Sequence, residues 1–258
     1  MKATPSASIE HPWCIAHRGA RVEAPENTRS AFLRAMAYPV DGIELDVQMT
    51  ADGIPVVYHD RTLRRVGGGR RRIADLTLDQ LRPLDWGGWF HPDFTDEPLM
   101  TLERLLAMLD RCPRWFIEIK SRPGERDSGH AYRLTDKVVA MFGQPRYRVY
   151  QDRLHLLSFD AEVLARAHRS APSLRMVRNL AASDVETEIG NTSHLWAVDV
   201  PIQNLNPHMV QWARSRNLRL MTYTCNGPRQ VDRACRLGAD AIISDRPGWL
   251  TKYLGRGD

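Results

Sequence analysis

The sequence predicts an α/β fold, a (β/α)8 TIM barrel with a small insertion after the second barrel strand. Eight short apolar runs, at 13–17, 42–47, 115–119, 155–159, 174–177, 197–200, 219–223 and 241–244, alternate with stretches of helical periodicity. That alternation is the pattern of parallel strands joined by crossover helices, and eight is the number that closes a barrel. A chain of 258 residues lies in the range where such a barrel is a single domain, so 1–258 is read as one barrel domain. The stretch from about 60 to 99 breaks the alternation. It is too long and too poor in apolar periodicity for a plain connection, and reads as an insertion or lid.

The elements follow in order. After the first strand run, 26–37 carries apolar residues at helical spacing. The run at 42–47 is followed by Asp52-Gly53, a two-residue hairpin signal. Taking Asp52-Gly53 as the whole loop pairs Val47 with Tyr58 and Asp46 with His59. Within the insertion, Thr77-Leu78-Asp79-Gln80 is a capping box that opens a short helix. Helical spacing recurs at 102–111, 131–142 and 161–168. Asn206-Pro207 supplies a capping residue and a proline at the first helical position for 208–216, and Gly227-Pro228 opens a further helix that Gly238 ends.

Composition narrows the class. Hydrophobic residues at 43% are ordinary for a globular enzyme, and no run approaches the roughly 20 apolar residues of a membrane span. The net charge of +5 suits an anionic substrate. The basic residues are spread along the chain rather than gathered in a stripe, which counts against nucleic-acid binding. Arg70-Arg71-Arg72 after three glycines is read as a solvated loop. Cys14, Cys112, Cys225 and Cys235 form no Cys-x-x-Cys pair, so a reduced, cytoplasmic setting is expected. Residues 1–12 lack the apolar run of a signal peptide.

The chemistry concentrates in a few positions. Glu44 and Asp46 lie two apart on one strand and so share a face, while Ile43, Leu45 and Val47 face the other way. Two carboxylates on one face of an apolar strand are costly unless a cation or basic partners compensate them. A metal site is the favoured reading, with a salt bridge as the alternative. Glu118 and Lys120 again share a strand face, where a mutual ion pair is the plain reading. His17 ends the first strand, and Glu44, Asp46 and Glu118 fall near the same end of theirs, the end at which barrel active sites are built. The hairpin register brings His59 beside the acidic pair.

At these positions the sequence resembles the glycerophosphodiester phosphodiesterase family. The resemblance is carried by His17-Arg18-Gly19, Pro25-Glu26-Asn27-Thr28, Glu44-Leu45-Asp46-Val47, Thr50-Ala51-Asp52-Gly53, Val56-Val57-Tyr58-His59-Asp60 and Glu118-Ile119-Lys120. The terminal stretch Gly238-Ala239-Asp240-Ala241-Ile242-Ile243-Ser244-Asp245-Arg246-Pro247 carries it too. It spans nearly the whole chain and implies a (β/α)8 barrel with an insertion after the second strand. It implies that His17 and His59 are a general acid–base pair, that Glu44, Asp46 and Glu118 bind a divalent cation, and that Arg18 and Lys120 hold the phosphate. Tyr223 is placed with the substrate-binding residues. It opens Tyr223-Thr224-Cys225-Asn226, where the family usually has Trp-Thr-Val-Asn, and Ser244 replaces a usual Thr. Both departures touch substrate fit.

An all-oxygen ligand set favours Mg²⁺ or Ca²⁺. The implied reaction is metal-dependent hydrolysis of glycerophosphodiesters to glycerol 3-phosphate and an alcohol. The partner is thus a small-molecule glycerophosphodiester, with no nucleic acid and no stable membrane insertion. A lysophospholipase D acting on lysolipids is one alternative, with Trp86, Trp89 and Phe90 as a possible acyl channel or as plain packing. A non-catalytic phosphate-binding barrel is the other. Water or a glycerol hydroxyl could be the nucleophile, and either histidine the acid.

Overall fold

The computed structural model describes residues 11–121, 129–183 and 190–256; most of the N-terminal stretch read above for a signal peptide lies outside them. The elements run β1 (Trp13–His17), α1 (Arg29–Met36), β2 (Gly42–Met49), β3 (Pro55–Val57), α2 (Leu78–Leu81), α3 (Leu102–Met108), β4 (Trp115–Ile119), α4 (His130–Phe142) and β5 (Leu154–Ser158). There follow α5 (Ala161–Ser170), β6 (Arg175–Asn179), β7 (Leu195–Pro201), α6 (Pro207–Ser215), β8 (Arg219–Tyr223), α7 (Pro228–Arg236), β9 (Ala241–Ser244) and α8 (Pro247–Tyr253). The sheet order is β1-β9-β8-β7-β6-β5-β4-β2, and β1 pairs with β2 to close it. All eight of these pairings are parallel. β3 is an antiparallel appendage on β2. This is the (β/α)8 barrel the eight apolar runs predict.

Each strand buries both faces, because a parallel barrel has filling inside and helices outside. Ile15, Phe116, Leu157, Val177, Ala197, Met221, Ala241 and Ile243 form the inner cluster. Alternate residues such as Ile43, Leu45, Val47, Ile117 and Ile119 join Phe32, Leu102 and Leu134 in an outer core. A second outer core gathers Val198, Val200, Leu220, Val231 and Leu250 around the C-terminal strands.

Between β3 and α3 the chain builds a satellite core of Tyr58, Leu63, Ile73, Leu81 and Trp86. The capping box at Thr77 and Gln80 forms as the sequence predicts. Trp86 stands edge-on to Tyr58 at 5.4 Å and donates its indole N–H to the Leu81 carbonyl at 3.1 Å. Trp86 and Trp89 border a gap of only ≈ 10 Å³, about the room of one water. Trp86 and Trp89 pack here.

Two local expectations are corrected. The hairpin loop has three residues, not two. The Thr50 N–H donates to the Ile54 carbonyl at 3.1 Å, and Ala51, Asp52 and Gly53 turn between them, with Gly53 at φ +80°. That is a tight turn closed by a left-handed residue, and it shifts the ladder by one residue, so Val47 pairs with Val57 rather than Tyr58. Helix α1 also starts late. Thr28 caps it by accepting from the Ala31 N–H, leaving Glu26 and Asn27 outside the helix. A further helix, α8, opens on Pro247 directly after the last strand.

Candidate active site

Strand alternation builds the site as a layer above the inner cluster. His17 stands two residues beyond Ile15, Glu118 beyond Phe116, Asn179 beyond Val177, Asp199 beyond Ala197 and Tyr223 beyond Met221. The layer sits at the C-terminal ends of the strands. It surrounds a cavity of ≈ 220 Å³ lined by His17, Arg18, Glu44, His59, Glu118, Lys120, Asn179, Asp199 and Tyr223 among others. All eight expected site residues meet here, seven lining the cavity and Asp46 in contact with Arg18 and Lys120, which line it.

Glu44, Asp46 and Glu118 each offer a carboxylate oxygen, and the three oxygens lie within 4.8 Å of one another. Asp46 is fully buried and Glu44 and Glu118 nearly so. Asp46 is the compensated member. Arg18 Nε reaches it at 3.0 Å, Lys120 Nζ at 3.0 Å and Asn27 Nδ2 at 2.8 Å. Although burial alone would raise its pKa, the Arg18 and Lys120 charges hold the Asp46 carboxyl well below its ordinary value. Glu44 moves the other way. Burial first, then repulsion from Asp46, pushes its carboxyl well above the ordinary range. Its contacts are the Arg18 backbone N–H at 3.2 Å and His17 Nε2 at 3.8 Å. Lys120 also holds Glu118 at 2.6 Å, so the ion pair expected as the plain reading is present. Three carboxylates thus face two side-chain cations. The under-compensated Glu44, the close oxygens and the hard donor set fit a divalent cation. Arg18 and Lys120 are themselves pinned by these acids, and both have raised pKa values through neighbouring carboxylates that outweigh burial.

Each histidine has its own carboxylate. His17 Nδ1 lies 2.5 Å from Asp245 Oδ1, and Asp245 is held in turn by Asn226 Nδ2 at 2.7 Å. Burial lowers the His17 pKa, opposed by the Asp245 hydrogen bond. His17 is therefore neutral near pH 7, and the Asp245 contact puts the ring proton on Nδ1 and the lone pair on Nε2. His59 Nδ1 lies 3.0 Å from Asp60 Oδ1, and Asp60 is gripped by Arg65, whose Nε donates at 2.7 Å. His59 reaches the site even though the hairpin register differs from expectation. The ladder ends at Val57 and the Tyr58 N–H donates to the Asp46 carbonyl at 3.0 Å. Past that bond the chain leaves the sheet, and side-chain alternation no longer governs His59.

A second acidic cluster of Glu26, His59 and Asp60 borders the site. Arg18, Arg21 and Arg65 contact Glu26 at 3.1, 2.7 and 3.2 Å, so arginines already supply its countercharge.

Several contributors carried no assigned role in the sequence reading: Asn27, Asp60, Asn179, Asp199, Asn226 and Asp245. Asp60 follows His59 directly, and Asp245 ends the last strand motif. Asp199 is a lone acid inside the apolar run 197–200, the same signal that marked Glu44. Asn27 contacts Asp46 only because α1 starts late. Tyr223 lines the cavity with its hydroxyl donating to the Leu180 carbonyl at 2.5 Å.

The model of the glycerophosphoryl diester phosphodiesterase family matches residues 17–249. A glycerophosphodiester phosphodiesterase of Caldanaerobacter subterraneus is 30% identical over 249 residues, covering 94% of this chain and 98% of the relative. One of Bacillus subtilis is 30% identical over 255 residues, covering 92% and 85%. Among solved structures, a putative glycerophosphoryl diester phosphodiesterase of Silicibacter pomeroyi superposes with TM-score 0.81 at 27% identity, covering 96% of this chain and 94% of that one. An Oleispira antarctica phosphodiesterase, solved with its product sn-glycerol-3-phosphate, gives TM-score 0.79 at 23% identity, covering 95% and 97%.

Proposed function

The chain belongs to the glycerophosphoryl diester phosphodiesterase family, and on that premise we propose that it hydrolyses glycerophosphodiesters to glycerol 3-phosphate and an alcohol with His17 and His59 as its acid–base pair. The observation that carries the pairing is that each imidazole is backed at Nδ1 by a carboxylate and both line one cavity beside a three-carboxylate cluster. His17, oriented by Asp245, accepts at Nε2 the proton of the attacking water, whose oxygen bonds to phosphorus as the bond to the alcohol oxygen breaks. His59, with Asp60 behind it, gives a proton to the leaving alcohol.

Glu44, Asp46 and Glu118 are the proposed ligands of a divalent cation, Mg²⁺ or Ca²⁺. When bound, the cation offsets the charge that builds on the phosphoryl oxygens. Arg18 and Lys120 add their positive charge to the phosphate side of the cavity while they steady Asp46 and Glu118. Tyr223 shapes the wall that meets the substrate. The reading takes the whole chain as one catalytic unit with residues 60–99 as its insertion. On this reading its small-molecule substrates are the glycerophosphodiesters left by deacylation of phospholipids, a role in lipid metabolism. Four free cysteines support a reducing, cytoplasmic setting, and among the described residues no helix is long and apolar enough to cross a membrane.

One set of assays tests the reading: turnover of glycerophosphocholine by the wild type with Mg²⁺ or Ca²⁺, by the wild type in excess chelator, and by His17→Ala and His59→Ala. Activity should vanish with chelator and return with the ion, and each substitution should lower kcat by about 100-fold or more while thermal unfolding stays near wild type. Near-normal turnover in either variant removes that histidine from the pair.

A further inference from the structure

The insertion sends one side chain to the site from outside the cavity. Arg65 lies on a short 3₁₀ helix, Leu63–Val66, whose Leu63 and Val66 are buried in the satellite core. Its guanidinium lies over the Trp89 ring at 4.5 Å, and Trp89 is itself fixed by donating its indole N–H to the Trp86 carbonyl at 3.1 Å. From that seat Arg65 grips Asp60 with two prongs: Nε donates to Oδ2 at 2.7 Å and Nη2 donates to Oδ1. Nη1 reaches Glu26 Oε1 at 3.2 Å. A planar fork held on both oxygens of a carboxylate fixes its orientation as well as its distance. Asp60 Oδ1 is also the oxygen that faces His59 Nδ1 at 3.0 Å, so the grip ends on an imidazole that lines the cavity. Backbone ties do a different job. Gln48 donates to the Tyr58 and Asp60 carbonyls at 2.7 and 2.9 Å, which holds the main chain on either side of His59 but not the rotation of its ring. Burial alone would raise the Asp60 pKa, but the hydrogen bonds from His59 and Arg65 hold it below its ordinary value, so an anion stands behind the ring.

We propose that Arg65 is a positioning residue for general-acid catalysis: through Arg65 and Asp60, the insertion holds the His59 ring so that Nε2 can give its proton to the departing alcohol. Arg65 borders the small gap beside Trp86 and Trp89, while His59 lines the cavity, so Arg65 acts through another residue and not on the substrate. In the step it serves, the bond from phosphorus to the alcohol oxygen breaks and its electron pair goes to that oxygen, which takes the proton from Nε2. An alkoxide leaves poorly without that proton, so the angle and distance of Nε2 govern the rate. A nitrophenolate leaves as a stable anion and has little need of it. The inference rests on the proposed hydrolysis with His59 as the acid, and it gives the insertion a task in the reaction.

The test compares glycerophosphocholine with glycerol 3-(4-nitrophenyl phosphate), which share the phosphoglycerol half and differ in the leaving group, using the full chain supplied with Mg²⁺ or Ca²⁺. In Arg65→Met, kcat for glycerophosphocholine should fall roughly tenfold or more further than kcat for the nitrophenyl ester, with both KM values within about threefold of wild type. Arg65→Lys keeps the charge but not the fork, and should recover part of the difference. An equal fall on both substrates, as a merely structural ion pair would give, overturns the proposal, and so does a fall on neither. Should Arg65→Met not fold, the ratio of the two rates in Arg65→Lys decides, and a wild-type ratio there is negative. His59→Ala separates the two levels of the argument. A leaving-group bias in His59→Ala with none in the Arg65 variants overturns the positioning role alone. No bias in His59→Ala removes His59 as the acid, and the underlying reading falls with it.

Discussion

At the scale of single residues, the site is an exercise in unequal compensation. Asp46 and Glu44 stand two apart on one strand, yet their carboxyls move in opposite directions, because Arg18 and Lys120 reach Asp46 and leave Glu44 to repulsion and burial. The same logic explains Asp245. It does not line the cavity, and it is a positioning residue that fixes the ring of His17 through a 2.5 Å contact. Asp245→Asn keeps the size and the tie to Asn226 but allows the amide to present an N–H to Nδ1, which favours the wrong tautomer. The variant should bind substrate with KM within about threefold of wild type and lose roughly 100-fold or more in kcat. The acid limb of its kcat–pH profile should move down, because the carboxylate that raises the His17 pKa is gone. Measuring both parameters across pH 5–9 checks this, and an unchanged profile with unchanged kcat would show that Asp245 does not orient His17. Residue-scale chemistry was the most legible part of the sequence where acids broke apolar strands, as at Glu44, Asp46 and Glu118. Asp245 and Asn27 were harder to read because their roles depend on partners 228 and 19 positions away.

At the scale of elements, periodicity placed all eight barrel strands, because each buries both faces in a way that few loop sequences can mimic. Register was less legible. Whether Asp52-Gly53 is the whole turn or its last two residues changes every pairing by one, and only the Thr50–Ile54 hydrogen bonds decide it. Helix α1 shows the same limit, since Glu26 and Asn27 continue its spacing but are drawn out by Arg18 and Asp46. Two glycines in these turns predict different fates. Gly53 has φ +80° with nothing within 4 Å of a built Cβ, whereas Gly19 has φ +84° and a Cβ there would lie 2.6 Å from the Ala31 carbonyl carbon. Gly53→Ala should therefore cost only its backbone conformation, about 1 kcal/mol. Gly19→Ala must also push β1 and α1 apart, and should cost at least about 2 kcal/mol, several degrees in Tm. It should also lower kcat sharply, since the turn carries His17 and Arg18. Calorimetry and turnover on the two variants side by side check the ranking, and equal losses would show that the close approach to Ala31 relaxes freely.

At the scale of the whole molecule, the barrel separates its polar chemistry from its floor. The cavity lies at the C-terminal strand ends, while Trp13, Phe116, His155 and Trp196 stack toward the N-terminal end, with His155 against Phe116 at 4.4 Å and Trp196 at 4.6 Å. His155 is wholly buried, and its Nδ1 faces the Arg153 and Trp115 carbonyls at 3.2 and 3.3 Å, so its single ring proton is there. Burial, reinforced by Arg175, lowers its pKa from 6.5 to about 3. The sign follows directly. Between those values the unfolded chain binds a proton that the folded chain refuses, so this group's stabilisation is full above the unfolded pKa and is lost as pH falls below it. From pH 7 to pH 5 the loss is about 2 kcal/mol, on the order of 1.4 kcal/mol for each pH unit below 6.5. His155→Gln keeps an amide for the two carbonyls and removes the titration. Urea unfolding of both proteins at pH 7 and pH 5 cancels the other titrating groups, leaving the His155 contribution as the difference in slope. The wild type should lose about 2 kcal/mol more than His155→Gln over that interval. Parallel losses would mean that the floor of the barrel admits the imidazolium, and that the acid response is set instead by the carboxylates at its mouth.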